Sequence, residues 1–222
     1  AEQGAYIVTI RGKVFPAAVN DTIEATLRNY GRPKFMVLVE ETFDGAKNQP
    51  GNTVTELTMM EIMGNSGFEF VDSQMTKELL RKERRLMGKA IQGQVGSDVQ
   101  ELLLDDAGAE VIILGTAQTT DQTKVMSGYA RNMKSKQANI RLKAVDVYTG
   151  SILATKAENS PAVHIDAETA SKDAIQRCLK KMIGRVGDEG TFESGPFMNQ
   201  ITRKFLQSAT NRPIMMTVAG LN

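Results

Sequence analysis

His164 and Cys178 are the chain's one histidine and one cysteine, so general-base, nucleophilic or soft-metal chemistry would have to start from them. An imidazole accepts protons near neutral pH and ligates metals, and a thiolate attacks electrophiles. Neither residue has the company that such chemistry needs. There is no second histidine and no cysteine cluster to complete a zinc site. His164 stands between Val163 and Ile165, just ahead of a helix cap at Asp166, a setting for a structural or solvent-facing ring. Cys178 falls on the apolar stripe of a helix, where a thiol behaves as a small hydrophobe.

Glu40 and Glu41 are adjacent carboxylates at the end of a predicted strand, where α/β sheets often place their sites. Successive strand residues point to opposite faces, which makes the two a poor acid–base pair. The polar stretch from Glu40 to Asn52 is the best pocket candidate in the sequence, with a solvated loop as the plainer explanation. Gly184, Gly187 and Gly190 have the wrong spacing for a dinucleotide fingerprint and follow a helix, not a strand. No phosphate loop and no nucleophile elbow occurs. The sequence therefore assigns no catalytic residue, no cofactor and no metal.

The densest charge is basic: Lys77, Arg81, Lys82, Arg84 and Arg85, with Lys89 beyond. A solvated helix face explains the cluster, and Glu78 four residues before Lys82 fits that account. Contact with an acidic neighbour is the other explanation, and it makes these five residues the candidate interface. Stacking aromatics are missing here, which argues against single-stranded nucleic acid. Over the whole chain 27 basic residues balance 26 acidic ones, so neither nucleic acid nor an anionic membrane is an expected partner.

The elements that must position these residues follow from periodicity. Tyr6 to Val14 alternates as a half-buried strand, and Pro16 opens a helix over 17–30. Phe35 to Val39 is an unbroken apolar run, the pattern of a strand buried on both faces, ended by Glu40 and Glu41. Thr53 and Glu56 form a capping box for a helix with Val54, Leu57 and Met60 on one face. Phe68 to Val71 is a short strand. Asp72 or Ser73 caps a long helix to about Ile91, with Met75, Leu79, Leu86 and Ala90 as its buried stripe. Ser97 and Gln100 suggest another capping box. Val111 to Leu114 is a third buried strand, closed by Gly115, and the segment 116–132 is polar, with one or two strands.

Asn139 to Ala157 reads as a hairpin about the Thr149-Gly150 turn. A helix capped by Asp166 carries Ala170, Ala174, Cys178, Met182 and Val186 in register. A glycine-rich linker, a helix from Phe197 and a strand over 213–218 close the chain. Both ends read as cut inside neighbouring domains. The expected organisation is the end of an α+β domain over 1–30, a central domain over 31–186, and a linker with the start of a following domain over 187–222. The expected fold class is α/β: a mixed sheet with buried central strands covered by helices. At 41% hydrophobic and 24% charged, the 222 residues are ordinary globular composition. No apolar run approaches the roughly 18 residues of a membrane helix. One cysteine leaves the compartment open.

Three segments resemble the α/β domain shared by the curli secretion channel (CsgG-like) family, the amino-terminal domain of TolB, and the middle domain of the flagellar H-ring assembly protein T. They are Arg32 to Glu40, Ala109 to Gly115, and Ile140 to Leu153. The last is the most specific, through Val145, Asp146, Thr149 and Gly150, with Ser151 where those families usually have glutamate. The resemblance implies a cell-envelope protein, periplasmic or outer-membrane-associated, without enzymatic activity or cofactor. Such a protein packs against copies of itself and other envelope or flagellar proteins, as in a ring or scaffold. Pore formation is not expected, because 115–139 is short, polar and without aromatic girdles. The rival expectation is a monomeric periplasmic module binding a peptide or small ligand near Glu40 to Asn52.

Overall fold

A computed structural model describes residues 31–123, 132–187 and 192–210. Expectations for Tyr6–Val14, the helix over 17–30 and the strand over 213–218 lie outside the described residues. The elements in chain order are β1 (Lys34–Phe43), β2 (Ala46–Asn48), α1 (Val54–Gly64), β3 (Glu69–Phe70), α2 (Ser73–Lys82) and α3 (Arg84–Ile91). Next come α4 (Ser97–Glu101) with a π-helical turn at Leu102–Asp106, β4 (Val111–Asp121), β5 (Lys134–Asp146) and β6 (Ile152–His164). The last are α5 (Ala167–Ile183), β7 (Gly184–Val186), β8 (Phe192–Ser194) and α6 (Pro196–Thr210).

The main sheet runs β2-β1-β4-β5-β6, with β3 also on β1. β1 is parallel to β3 and β4; β2–β1, β4–β5 and β5–β6 are antiparallel. The hairpin expected around Thr149-Gly150 is thus in the same sheet as the two apolar runs. The fold is α/β with a mixed sheet between helical layers. Phe35, Val37 and Val39 face one core with Met59 and Met63 of α1, Cys178 and Met182 of α5, and Phe197 and Ile201 of α6. Met36 and Leu38 face the other, with Leu79 of α2, Met87 and Ala90 of α3, and Leu103. Strands that serve two cores need apolar residues at both parities, which is why the pattern does not alternate.

Several sequence expectations are corrected. The helix from Ser73 does not run to Ile91; it breaks at Glu83, which has φ −109° and ψ 44°. In one continuous helix Glu83 would sit in phase with buried Thr76, Leu79, Met87 and Ala90, and the break leaves its carboxylate exposed instead. Met75 is 43% exposed rather than part of the stripe, and Leu57 of α1 is 46% exposed while Met59, Ile62 and Met63 are buried. β1 continues past Glu40 and Glu41 to Phe43 and turns through Asp44-Gly45 into β2, so the supposed loop starts as a hairpin. β4 likewise passes straight through Gly115.

The N-cap of α4 is Gly96, without a side-chain cap bond, so Ser97 and Gln100 form no capping box. α5 ends at Ile183, and Val186 is a half-exposed residue of β7. Residues 192–210 do not open a separate body: Phe197, Met198, Ile201 and Phe205 of α6 are buried in the first core.

Candidate functional site

Most buried groups with chemical potential are engaged in holding the fold. Thr53 and Glu56 form the expected capping box, and Glu56 goes further. Its carboxylate also accepts N–H groups from Val39 (2.8 Å) and Gly51 (2.9 Å), tying α1 to the middle of β1. Burial pushes its pKa up, against the opposing pull of the Val39, Thr53 and Gly51 N–H groups. Glu41, 2% exposed, accepts from Thr55 N (2.8 Å), Thr55 Oγ1 (2.7 Å) and Val54 N (3.2 Å). A carboxylate on the first free N–H groups of a helix also meets the positive end of its dipole.

Cys178 is fully buried, with Sγ 3.5 Å from Ala138 O. Burial, then the nearby Glu158 charge, pushes its thiol up to about 11, so it is a protonated core residue at neutral pH. His164 is exposed at the end of β6, where its Nδ1 accepts the Asp166 N–H at 3.0 Å.

The hairpin motif is built as a rivet. Val145 is buried in the second core. Asp146, 0% exposed, accepts the Thr149 N–H at 3.1 Å and the Ser208 hydroxyl at 2.9 Å. Gly150 has φ +68°, the left-handed region that favours glycine, and a Cβ there would meet Val95 O at 3.2 Å. The motif thus closes the β5–β6 turn and joins it to α6.

The five basic candidates all stand exposed on α2 and α3. Lys82 pairs with Glu78 at 3.2 Å, the i,i+4 pair foreseen in the sequence. Among the described residues, Lys77, Arg81, Arg84 and Arg85 have no ion-pair partner. The groove between α3 and α4 is lined by carboxylates: Glu83 at the start of α3, and Asp98, Glu101, Asp105 and Asp106 on α4 and the turn after it, with Asp98 paired to Lys89 at 2.6 Å.

The sheet face under α2–α4 is covered only over its first half. Beyond Leu38 and Leu114 it opens into a cleft of 410 Å³ at the carboxyl ends of β1 and β4. Register places Glu40, Thr116 and Arg141 in one row across β1, β4 and β5, and Thr42, Gln118 and Asn139 in the next. Lys47, Asn48 and Gln49 close the β2 side. Glu40 faces this cleft while Glu41 is buried against α1, the opposite orientations expected of strand neighbours. Sequence reasoning placed a pocket at Glu40 to Asn52 but missed Thr116, Gln118 and Arg141. Their polar alternation was the available signal; the pairing that brings them to Glu40 was not.

No family model and no curated protein matches this chain. It is similar to solved structures. One is lipoprotein GNA1162 from Neisseria meningitidis, at 13% identity and TM-score 0.40, over 64% of this chain and 90% of that one. Another is the LpoB C-terminal domain from Salmonella enterica, at 18% identity and TM-score 0.31, over 62% and 90%. A third is hypothetical protein CT253 from Chlamydia trachomatis, at 12% identity and TM-score 0.33, over 81% and 96%.

Proposed function

We propose that this chain is a non-enzymatic structural or assembly subunit of a bacterial cell-envelope machine, a periplasmic, outer-membrane-associated ring or scaffold component in the manner of the CsgG-like and TolB amino-terminal-like domains. The observation that carries the reading is the basic face of α2–α3, where Arg81, Arg84 and Arg85 are exposed and without ion-pair partners among the described residues. Its partner is an acidic surface on a second copy or on another envelope or flagellar protein. The Val145-Asp146 and Thr149-Gly150 hairpin supports the family resemblance by forming a turn that the buried Asp146 carboxylate bonds to Thr149 and to Ser208. Exposed ion pairs contribute only about 0–1 kcal/mol each, so apolar contact supplies most of the affinity and charge sets orientation. The experiment replaces Arg81, Arg84 and Arg85 together by glutamate and follows mass in solution across a salt series. Loss of a low-salt oligomer in the folded variant supports the reading, and unchanged assembly, or a monomeric parent chain, refutes the self-association.

A further inference from the structure

We propose that the cleft at the carboxyl ends of β1 and β4 binds a short zwitterionic peptide, with the peptide's ammonium on Glu40 and its carboxylate on Arg141. The site is independent of the basic face, which lies on other elements.

The position follows from topology. From β1 the chain crosses one sheet face through α1 to reach β3 on one side. From β3 it crosses the opposite face through α2–α4 to reach β4 on the other side of β1. Connections that leave adjacent parallel strands in opposite directions open a crevice at the strands' carboxyl ends, where α/β sheets bind ligands. The cleft is at that crevice, and its 410 Å³ is within the range of small-ligand pockets.

The ligand class follows from the lining. Glu40 and Arg141 are exposed, and their side chains have no hydrogen-bond or ion-pair partner among the described residues. They occupy the two ends of one row, with the Thr116 hydroxyl between them. Two strand spacings put their Cα atoms roughly 10 Å apart, and an extended chain covers ~3.3–3.6 Å per residue, so a di- or tripeptide spans the row. Gln118 and Asn139 in the next row each offer an amide donor and acceptor, the pair that a peptide backbone requires. A guanidinium takes a terminal carboxylate through two parallel bonds. Among the described residues no aromatic side chain lines the cleft, so they offer no ring for stacking a base or sugar.

The test titrates tri-alanine, its N-acetyl form and its C-terminal amide into the full chain, following backbone amide signals of Thr116 and Gln118 by NMR. Tri-alanine should give saturable shifts at millimolar concentration or below, and blocking either end should weaken binding about tenfold. In Arg141→Ala the acid and the amide should bind alike; in Glu40→Gln the free and acetylated amines should bind alike. Both residues are exposed, so both variants should fold. Absence of saturable shifts up to about 10 mM, or equal binding of the blocked peptides to the parent chain, overturns the proposal. Loss of carboxylate preference in Lys47→Ala but not in Arg141→Ala overturns the assignment of the two ends.

Discussion

Ser208, near the end of α6, donates its hydroxyl to Oδ2 of the fully buried Asp146 at 2.9 Å, joining residues 62 positions apart. The other oxygen of Asp146 holds the Thr149 N–H, so one carboxylate closes the hairpin turn and secures α6. Asp146→Ala strands both donors and should cost about 3 kcal/mol. Asp146→Asn should cost about 1 kcal/mol, because its carbonyl can still accept from Thr149 and the Ser208 hydroxyl can turn to accept from its amide. Ser208→Ala should also cost about 1 kcal/mol, and a double-mutant cycle with Asp146→Ala, which removes the acceptor, should show coupling. Urea unfolding measures all four; additivity of Asp146→Ala and Ser208→Ala would show that the contact carries no stability.

Gly115 is fixed by close backbone approach. A Cβ there would lie 2.3 Å from Arg141 O and 2.7 Å from Leu142 Cδ2, across the β4–β5 pair. Gly115→Ala should therefore destabilise by about 1–3 kcal/mol through overpacking. It should also disturb the Thr116–Arg141 row, which begins at the next residue. Hydrogen exchange should quicken at Thr116–Gln118 before the rest of β4; a stable variant with unchanged exchange would contradict this geometry.

The strands were legible where one segment alone decided burial. Phe35 to Val39 had to serve two cores, and its lack of alternation said so. Thr53 and Glu56 announced their cap because three residues of spacing suffice. Glu83 was not legible as a break, since the apolar phase continues on both sides of it and only the conflict with its charge interrupts the helix. The C-terminal helix was misplaced in a following domain because nothing local to Phe197 shows that α5 and β6 leave a groove for it. The cleft was half legible for the same reason. Which part of a sheet face stays open depends on where α2–α4 stop, and Arg141 meets Thr116 only through strand register.

Cys178 should be silent toward thiol reagents in the folded chain. With its thiol pushed up to about 11 and its side chain buried, almost no thiolate is present at pH 8. Labelling by a disulfide reagent should follow global unfolding and reach one equivalent only in denaturant. The folded state keeps the proton longer than the unfolded chain, whose thiol titrates near 9. This residue's contribution to stability is therefore whole below 9 and declines as pH rises from 9 to about 11. Cys178→Ala should remove that part of the alkaline loss, and rapid native labelling at pH 8 would refute the burial argument.

Lys136 ties the β1–β2 turn to the far end of the sheet. Its Nζ is 3.0 Å from Asp44 and 3.4 Å from Asp121, with only 7% of its side chain exposed. Asp44 in turn accepts the Ser171 hydroxyl of α5 at 2.7 Å, and its N–H donates to Thr119 Oγ1 at 2.9 Å. Burial alone would lower the Lys136 pKa; the hydrogen bonds and charges of Asp44 and Asp121 outweigh it and hold it above its usual value. Thr123, more than Lys136, holds the Asp121 carboxyl down to about 2. The sign of each effect follows from linkage. The lysine's contribution is whole below 10.5 and is lost as pH rises through its raised folded value. The Asp121 contribution is whole above 3.8 and is lost as pH falls towards about 2. Lys136→Met should cost about 2 kcal/mol, less than the 3–5 of a fully buried pair because both carboxylates reach solvent. It should also flatten the alkaline limb of the stability profile above pH 10.5. The double variant Asp44→Asn with Lys136→Met should be no less stable than Lys136→Met, since no uncompensated charge then remains at Asp44. Urea unfolding from pH 3 to 11 reads all of these, and a Lys136→Met chain as stable as the parent would show that the latch contributes nothing.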